Sequence, residues 1–191
     1  LELAFNSLDF LQQLTPELSK PQGHLTATLN AKGTVSNVII ESQFHLSNAN
    51  LSLPLLGLTL NTIDLKATGK DKQWEANGTI GSGNKKLLLT GKGPLSGEFK
   101  GDIALQGVDF PIANTREYQI NASPKLNMKI SPHLLDIPGS ILIPSAHIAP
   151  QTFTNSLVLP EDVVYKNNTQ PEPSLLNTRM NIAVKLGDAV Q

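Results

Sequence analysis

The residues best suited to bind a metal or move a proton near neutral pH are four histidines, His24, His45, His133 and His147. They are scattered along the 191 residues without the short spacings that bring ligands together, and none stands beside a pair of carboxylates. The chain has no cysteine, which removes thiolate ligands, catalytic thiols and disulfide staples together. A Gly-x-Ser-x-Gly elbow does not occur, nor does a phosphate loop ending in Gly-Lys-Ser. Gly91-Lys92-Gly93 comes nearest, but Pro94 follows where the helix of a dinucleotide site would begin, so it reads as a turn. The neighbouring carboxylates Glu161 and Asp162 point to opposite sides of an extended chain and make no acid–base couple. Asn77, Asn121 and Asn167 are among the residues that begin a glycosylation triplet, and in so Asn-rich a chain such matches arise by chance. The expectation is a protein with no catalytic residue, no metal and no cofactor, and so not an enzyme.

The chain does carry a period-two pattern. Leu25/Ala27/Leu29, Trp74/Ala76/Gly78/Ile80, Phe99/Gly101/Ile103/Leu105, Leu126/Met128/Ile130 and Met180/Ile182/Val184/Leu186 alternate with mostly polar neighbours. Successive residues of a strand face opposite ways, so each segment predicts a strand with one dry and one wet face. Strands are expected at 24–30, 37–47, 50–54, 57–68, 72–81, 86–93, 97–107, 116–123, 125–131 and 177–187. Turn chemistry at Ala31-Lys32-Gly33, Gly69-Lys70-Asp71, Gly81-Ser82-Gly83-Asn84 and Gly93-Pro94 implies antiparallel neighbours in a meander. Residues 133–174 read as irregular: Pro138, Pro144 and Pro150 point to an edge or broken strand, and 166–173 to a loop. Gly78, Gly91 and Gly101 fall on the dry side, where strong curvature is the simplest reason to spend a glycine. Ahead of the strands, Asn6 and Asp9 resemble a helix cap, and Phe5, Leu8, Leu11 and Leu14 recur every three residues. A two-turn helix over 7–14 is expected, plugging one end of the sheet.

Bulk properties narrow the partners. Fifteen basic against sixteen acidic residues give a net charge of -1, which offers no footprint for nucleic acid. No run approaches the ~18 apolar residues of a membrane helix. Residues 1–191 are expected to form a single domain, with both ends reading as cuts from a longer polypeptide.

About ten strands at ~4.8 Å spacing make a sheet roughly 45–50 Å long, and such a sheet curls or splits. A membrane barrel would want aromatic girdles, and the chain is only 5 % aromatic. A dry-cored sandwich and an open trough both remain. The trough would be lined by Leu, Ile, Val and Ala with glycine, a smooth aliphatic wall suited to acyl chains. It would expose more than the ~300–600 Å² apolar patch of a soluble monomer, and so would need a ligand.

Several stretches resemble the TamB family of translocation and assembly module subunits. Ile143-Pro144-Ser145-Ala146-His147-Ile148 is similar to the family's Val-Pro-x-Ala-x-Ile, with Ser145 and His147 where Arg is more usual. Leu159-Pro160-Glu161-Asp162-Val163-Val164-Tyr165 resembles its acidic-Val-Val segment, and Val184-Lys185-Leu186-Gly187-Asp188 its late Leu-Gly-Asp strand. Gly23–Leu29, Gly33-Thr34, Leu53–Leu58, Phe110-Pro111-Ile112 and Ser123-Pro124 follow the same order. The resemblance implies an all-β fold: a curved, largely antiparallel single sheet folded as a taco, with a hydrophobic inner groove and a short N-terminal helix. It implies a periplasmic section of a protein anchored in the inner membrane of a Gram-negative bacterium. It also implies carriage of phospholipid between the two membranes and a partnership with the outer-membrane barrel TamA. The alternative is a chaperone that inserts nascent outer-membrane β-barrel or autotransporter proteins. The residues expected to line the groove are Leu25, Leu29, Trp74, Ile80, Phe99, Ile103, Leu105, Leu126, Met128, Ile130, Ile182 and Val184.

Overall fold

A computed structural model describes residues 1–14, 17–34, 37–95, 98–149 and 177–190. The strands are β1 (Glu2–Phe5), β2 (Ser19–Thr34), β3 (Asn37–Leu53), β4 (Leu58–Lys70), β5 (Gln73–Ser82), β6 (Lys85–Pro94), β7 (Gly101–Gly107), β8 (Phe110–Asn114), β9 (Tyr118–Ser131), β10 (Leu134–Ile148) and β11 (Asn177–Val190). One helix, α1 (Phe10–Leu14), lies between β1 and β2, and a 3-10 turn at Pro54–Leu56 joins β3 to β4. All eleven strands form one open, curved sheet in chain order, with β7 and β8 both pairing with β9. Every pairing is antiparallel except that of β10 with β11, which is parallel.

The alternation assigns the two faces. On the inner face a row runs from strand to strand through Phe5, Leu25, Leu46, Leu65, Gly78, Leu89, Leu105, Leu126, Gly139 and Ile182. On the outer face Glu75 stands opposite Lys92, Lys92 opposite Asp102, Asp102 opposite Lys129, Lys129 opposite Asp136, and Asp136 opposite Arg179. Charge alternates at each step, so every directly opposed pair in this row is attractive. A slip of one residue at any ladder would bring the charges inside and the leucines out.

Sandwich and barrel are both excluded. β1 and β11 stand at opposite ends of the strand order and do not pair with each other. Among the described residues the buried hydrophobics are Leu8, Ala49, Leu58, Ile63, Trp74, Phe110, Ala122 and Ala146, too few for a closed core.

Several expectations are corrected. The segments 37–47 and 50–54 are one strand, β3, in which Asn48 takes a positive φ of 50° and shifts the register without a turn. The segments 116–123 and 125–131 are likewise one strand, β9, running through Pro124. Residues 134–148, expected at an edge or in irregular chain, form β10 between β9 and β11. Its prolines are tolerated because they fall where the ladder lapses. Ile137 and Pro138 sit between the paired steps Asp136–Lys129 and Gly139–Leu126, and Pro144 sits at a bulge. β1 and β8 were not foreseen, because four and five residues are too short for an alternation to declare itself. The helix is five residues long, and the hydroxyl of Ser7, not Asn6, accepts the Asp9 amide at 3.1 Å. The loop at 166–173 and the Glu161–Asp162 pair lie outside the described residues.

Two polar clusters hold the irregular joints. Asp109, with a φ of 52°, marks the break between β7 and β8. Its carboxylate accepts from Lys85 Nζ at 2.6 Å and Asn121 Nδ2 at 3.0 Å, while its amide donates to Ser123 Oγ at 2.8 Å. At the parallel joint, Arg179 donates through Nε at 2.7 Å and Nη2 at 3.0 Å to the two oxygens of Asp136. That fork holds the Asp136 carboxyl below its usual range, with the Arg179 and Lys129 charges acting in the same direction. A carboxyl lowered in the folded state stabilises it above the ordinary carboxylate range and loses that contribution as pH falls through its own value. The protection factors of the β11 amides, corrected for the intrinsic pH dependence of exchange, should therefore fall below the ordinary carboxylate range, ahead of those of β5 and β6. Asp136→Asn should leave the β11 amides with low protection factors already at neutral pH, and acidification should lower them no further. Equal acid sensitivity of β11 in both proteins would show that the fork does not hold the strand.

Candidate functional site

The inner face of the sheet is the candidate site. Beside the leucine row runs a narrower one of Leu3, Ala27, Phe44, Ala67, Ala76, Gly91, Ile103 and Met128. Beyond it lie Leu29, Ser42, Gly69, Trp74 and Gly93, and further along Gly101 and Ile130. Ile80 and Leu87 are opposed on the other side of the leucine row, and Val184 faces Ile141. Two hollows open on this face. One, of about 420 Å³, is lined by residues including Leu29, Phe44, Trp74, Phe99 and Ile103. The other, of about 380 Å³, is lined by residues including Leu58, Ile80, Leu87, Leu105, Phe110 and Ile141.

Trp74 shapes the first hollow. Its ring lies flat over a floor of glycines: a Cβ on Gly101 would come within 2.1 Å of Trp74 Cζ2, and one on Gly91 within 2.9 Å of Cζ3. Close approach of this ring, and at Gly78 of the Leu65 side chain, which would stand 2.2 Å from an added Cβ, is therefore what the inner glycines allow. The indole Nε1 donates to the Lys100 carbonyl at 2.9 Å, so the buried N–H is satisfied. Phe99 stacks on the ring at 5.3 Å and 18°. That stack draws 99 and 100 out of the sheet, which is why β7 starts at Gly101 and not at 97; residues 96–97 lie outside the described chain.

All twelve residues expected to line a groove lie on this one face. Leu25, Leu29, Trp74, Ile80, Ile103, Leu105, Leu126, Met128, Ile130, Ile182 and Val184 share it by register, and Phe99 joins through Trp74. Coverage varies: Trp74 is 8 % exposed, whereas Leu29, Phe99 and Val184 are 45 %, 57 % and 58 % exposed. Sequence reasoning missed Leu8, Phe44, Leu58, Leu65, Leu87, Leu89 and Phe110. Leu87-Leu88-Leu89 is apolar at every step, so alternation could not say that Leu88 is the one facing out. Leu58 and Leu60 face inward on the opposite parity to Ile63, because register shifts separate them.

The polar chemistry lies outside. His45 Nε2 is 3.4 Å from Asp64 Oδ2 on the outer face, and His147 stands opposite Gln119. Among the described residues no three His, Asp or Glu side chains come together as a metal would require.

An open single-layer sheet, polar outside and aliphatic within, with its dry face hollowed but not closed, defines a taco-like groove protein. The chain belongs to the family of the TamB C-terminal domain, whose profile matches residues 64–191. The matched stretch starts in β4 and includes β10 and β11, so the similar motifs between Gly23 and Leu58 precede it. No curated protein and no solved structure matches the chain. Membership associates the chain with the Gram-negative cell envelope and with the translocation and assembly module, in which TamB partners TamA.

Gly101→Val should lift Trp74 from its glycine floor, cost about 1–3 kcal/mol in urea unfolding and move the emission of the sole tryptophan to the red. Unchanged emission would show that the ring does not depend on that space.

Proposed function

We propose that the inner face is a conduit that shields phospholipid acyl chains from water in the periplasm, as one section of a longer bridge anchored in the inner membrane. What carries this reading is an apolar face continuous through consecutive strands, on which, among the described residues, only the short segment around Leu8 packs and no second sheet does. Each acyl methylene moved from water onto such a wall gains ~0.8 kcal/mol, so two chains need no head-group site to hold them. The row from Leu25 to Ile182 carries no polar side chain, which lets a chain slide along it instead of lodging. No bond is made or broken in this function; the protein acts as a surface and not as an enzyme.

Photo-cross-linkers at Ile103 and Leu126 should capture phospholipid, whereas those at the outward Lys66 and Lys129 should not. Equal labelling of the two faces would defeat the conduit. Ile103→Asp should leave the chain folded, because an open wall keeps a carboxylate within reach of water, while weakening acyl binding at least tenfold. A closed core would unfold under the same unpaired charge.

A second reading rests on β11. The Asn177 amide donates to the His133 carbonyl, so Arg179, Asn181 and Ala183 also turn their backbone groups to β10. Met180, Ile182 and Val184 turn theirs to the other edge, which no described strand pairs. That edge suits a nascent outer-membrane strand, or TamA itself, adding by backbone pairing. Val184→Pro should abolish such pairing while keeping the β10 ladder; undiminished client cross-linking in that variant would sink this reading.

A further inference from the structure

The stretch from Ser7 to Gln12 lies on the groove wall, and its contacts are unlike those of the rest of the chain. Leu8 is 2 % exposed and forms a buried cluster with Ala49 and Ile63, against which Leu11, Leu25, Leu46, Leu51, Leu60, Leu65 and Ile80 pack. A clearance is cut for it in β2: Gly23 takes a φ of +141°, and a Cβ there would lie 2.7 Å from Ala49 and 3.1 Å from Leu8 Cδ1. The segment's backbone bonds are internal. Leu11 N–H donates to the Leu8 carbonyl at 2.9 Å, Gln12 N–H to the Asp9 carbonyl at 3.1 Å, and Asp9 N–H to Ser7 Oγ at 3.1 Å. Among the described residues no hydrogen bond ties Asn6 to Gln12 to the sheet. Apolar side chains seat it: the aliphatic cluster around Leu8, and Phe10 against Phe5 of β1 at 5.7 Å between ring centres. The cluster also stands beside both hollows: Leu60 and Ile80 touch it and line the smaller one, while Leu25 is the next inward residue to Ala27 of the larger.

We propose that this N-terminal segment is a displaceable plug, in which Leu8 and Leu11 hold, on the β2–β5 part of the groove, the place that an acyl chain takes when the groove is loaded. The inference rests on the conduit reading and adds a conformational step to it. The seat is chemically indifferent to the exchange, because leucine methyls and acyl methylenes offer it the same surface. No ladder breaks when the plug leaves, and a five-residue helix has no independent stability to lose. The exchange closes the wall against water when it is empty and opens it when lipid arrives. A protein whose competent state is only partly populated binds with an affinity reduced by that fraction, so the plug also lowers apparent affinity and aids release.

The test uses the 191-residue chain and a fluorescent long-chain fatty acid, cis-parinaric acid. A photo-cross-linker at Leu11 should label β3 and β4 in the empty protein, and that yield should fall several-fold once the probe saturates. Leu8→Ser/Leu11→Ser should bind the probe roughly tenfold more tightly than the parent chain. Undiminished cross-linking in the loaded parent overturns the plug whether or not the double variant folds, and so does equal or weaker affinity in a folded double variant. In both cases probe binding by the parent leaves the conduit standing. If neither protein binds the probe, the conduit fails and the plug with it.

Discussion

Register is the constraint on which everything else depends. In a single-layer sheet no second layer corrects a mispaired strand, so each ladder must choose its partner from its own two faces. Leucine opposite leucine inside and acid opposite base outside vote for the same alignment. Individually such pairs contribute only about 0.2–1 kcal/mol. Their strength lies in agreement, since one misplaced strand would put charges into the groove and aliphatic side chains into water. The outer row is therefore as much a part of the groove as its lining, although it never touches it.

Much of this was readable from the residues, and the readable part has a common cause. Trp74/Ala76/Gly78/Ile80 and Leu126/Met128/Ile130 alternate over whole strands, and alternation is a local property that a linear sequence displays. The unread parts depend on partners. Glu75, Lys92, Asp102, Lys129, Asp136 and Arg179 are all visible as charges, but their opposition exists only once the registers are set. Pro138 and Pro144 argued for an edge because a proline's lapse in the ladder is local, whereas a strand's place in the sheet is not. The glycines under Trp74 were visible too, and only the ring's position says why they are there.

Openness decides how the fold is stabilised. A compact domain of this length hides most of its apolar side chains; here Leu29, Phe99 and Val184 remain about half exposed, and full burial is confined to a few islands. Backbone ladders and paired faces must carry more of the stability than usual. The sheet consequently keeps a surface that a closed core would have consumed, and that surface is what the family's envelope role can draw on. Irregular joints are fastened with charge where packing is thin, by Lys85–Asp109 at the β7–β8 break and by Arg179–Asp136 at the parallel strand.

The alternating outer row has an electrical consequence. Its three acids and three bases cancel, and the chain as a whole carries only -1. A wall that adds one charge per strand, each opposite to the last, stays within one charge of neutrality however many strands it gains. Neighbouring charges of opposite sign screen one another within a strand spacing of about 4.8 Å, well inside the ~8 Å Debye length of physiological salt. Such a wall projects almost no field along its axis. An anionic or zwitterionic head group moving along its rim would be neither steered nor trapped, and the sheet could lengthen without repelling itself.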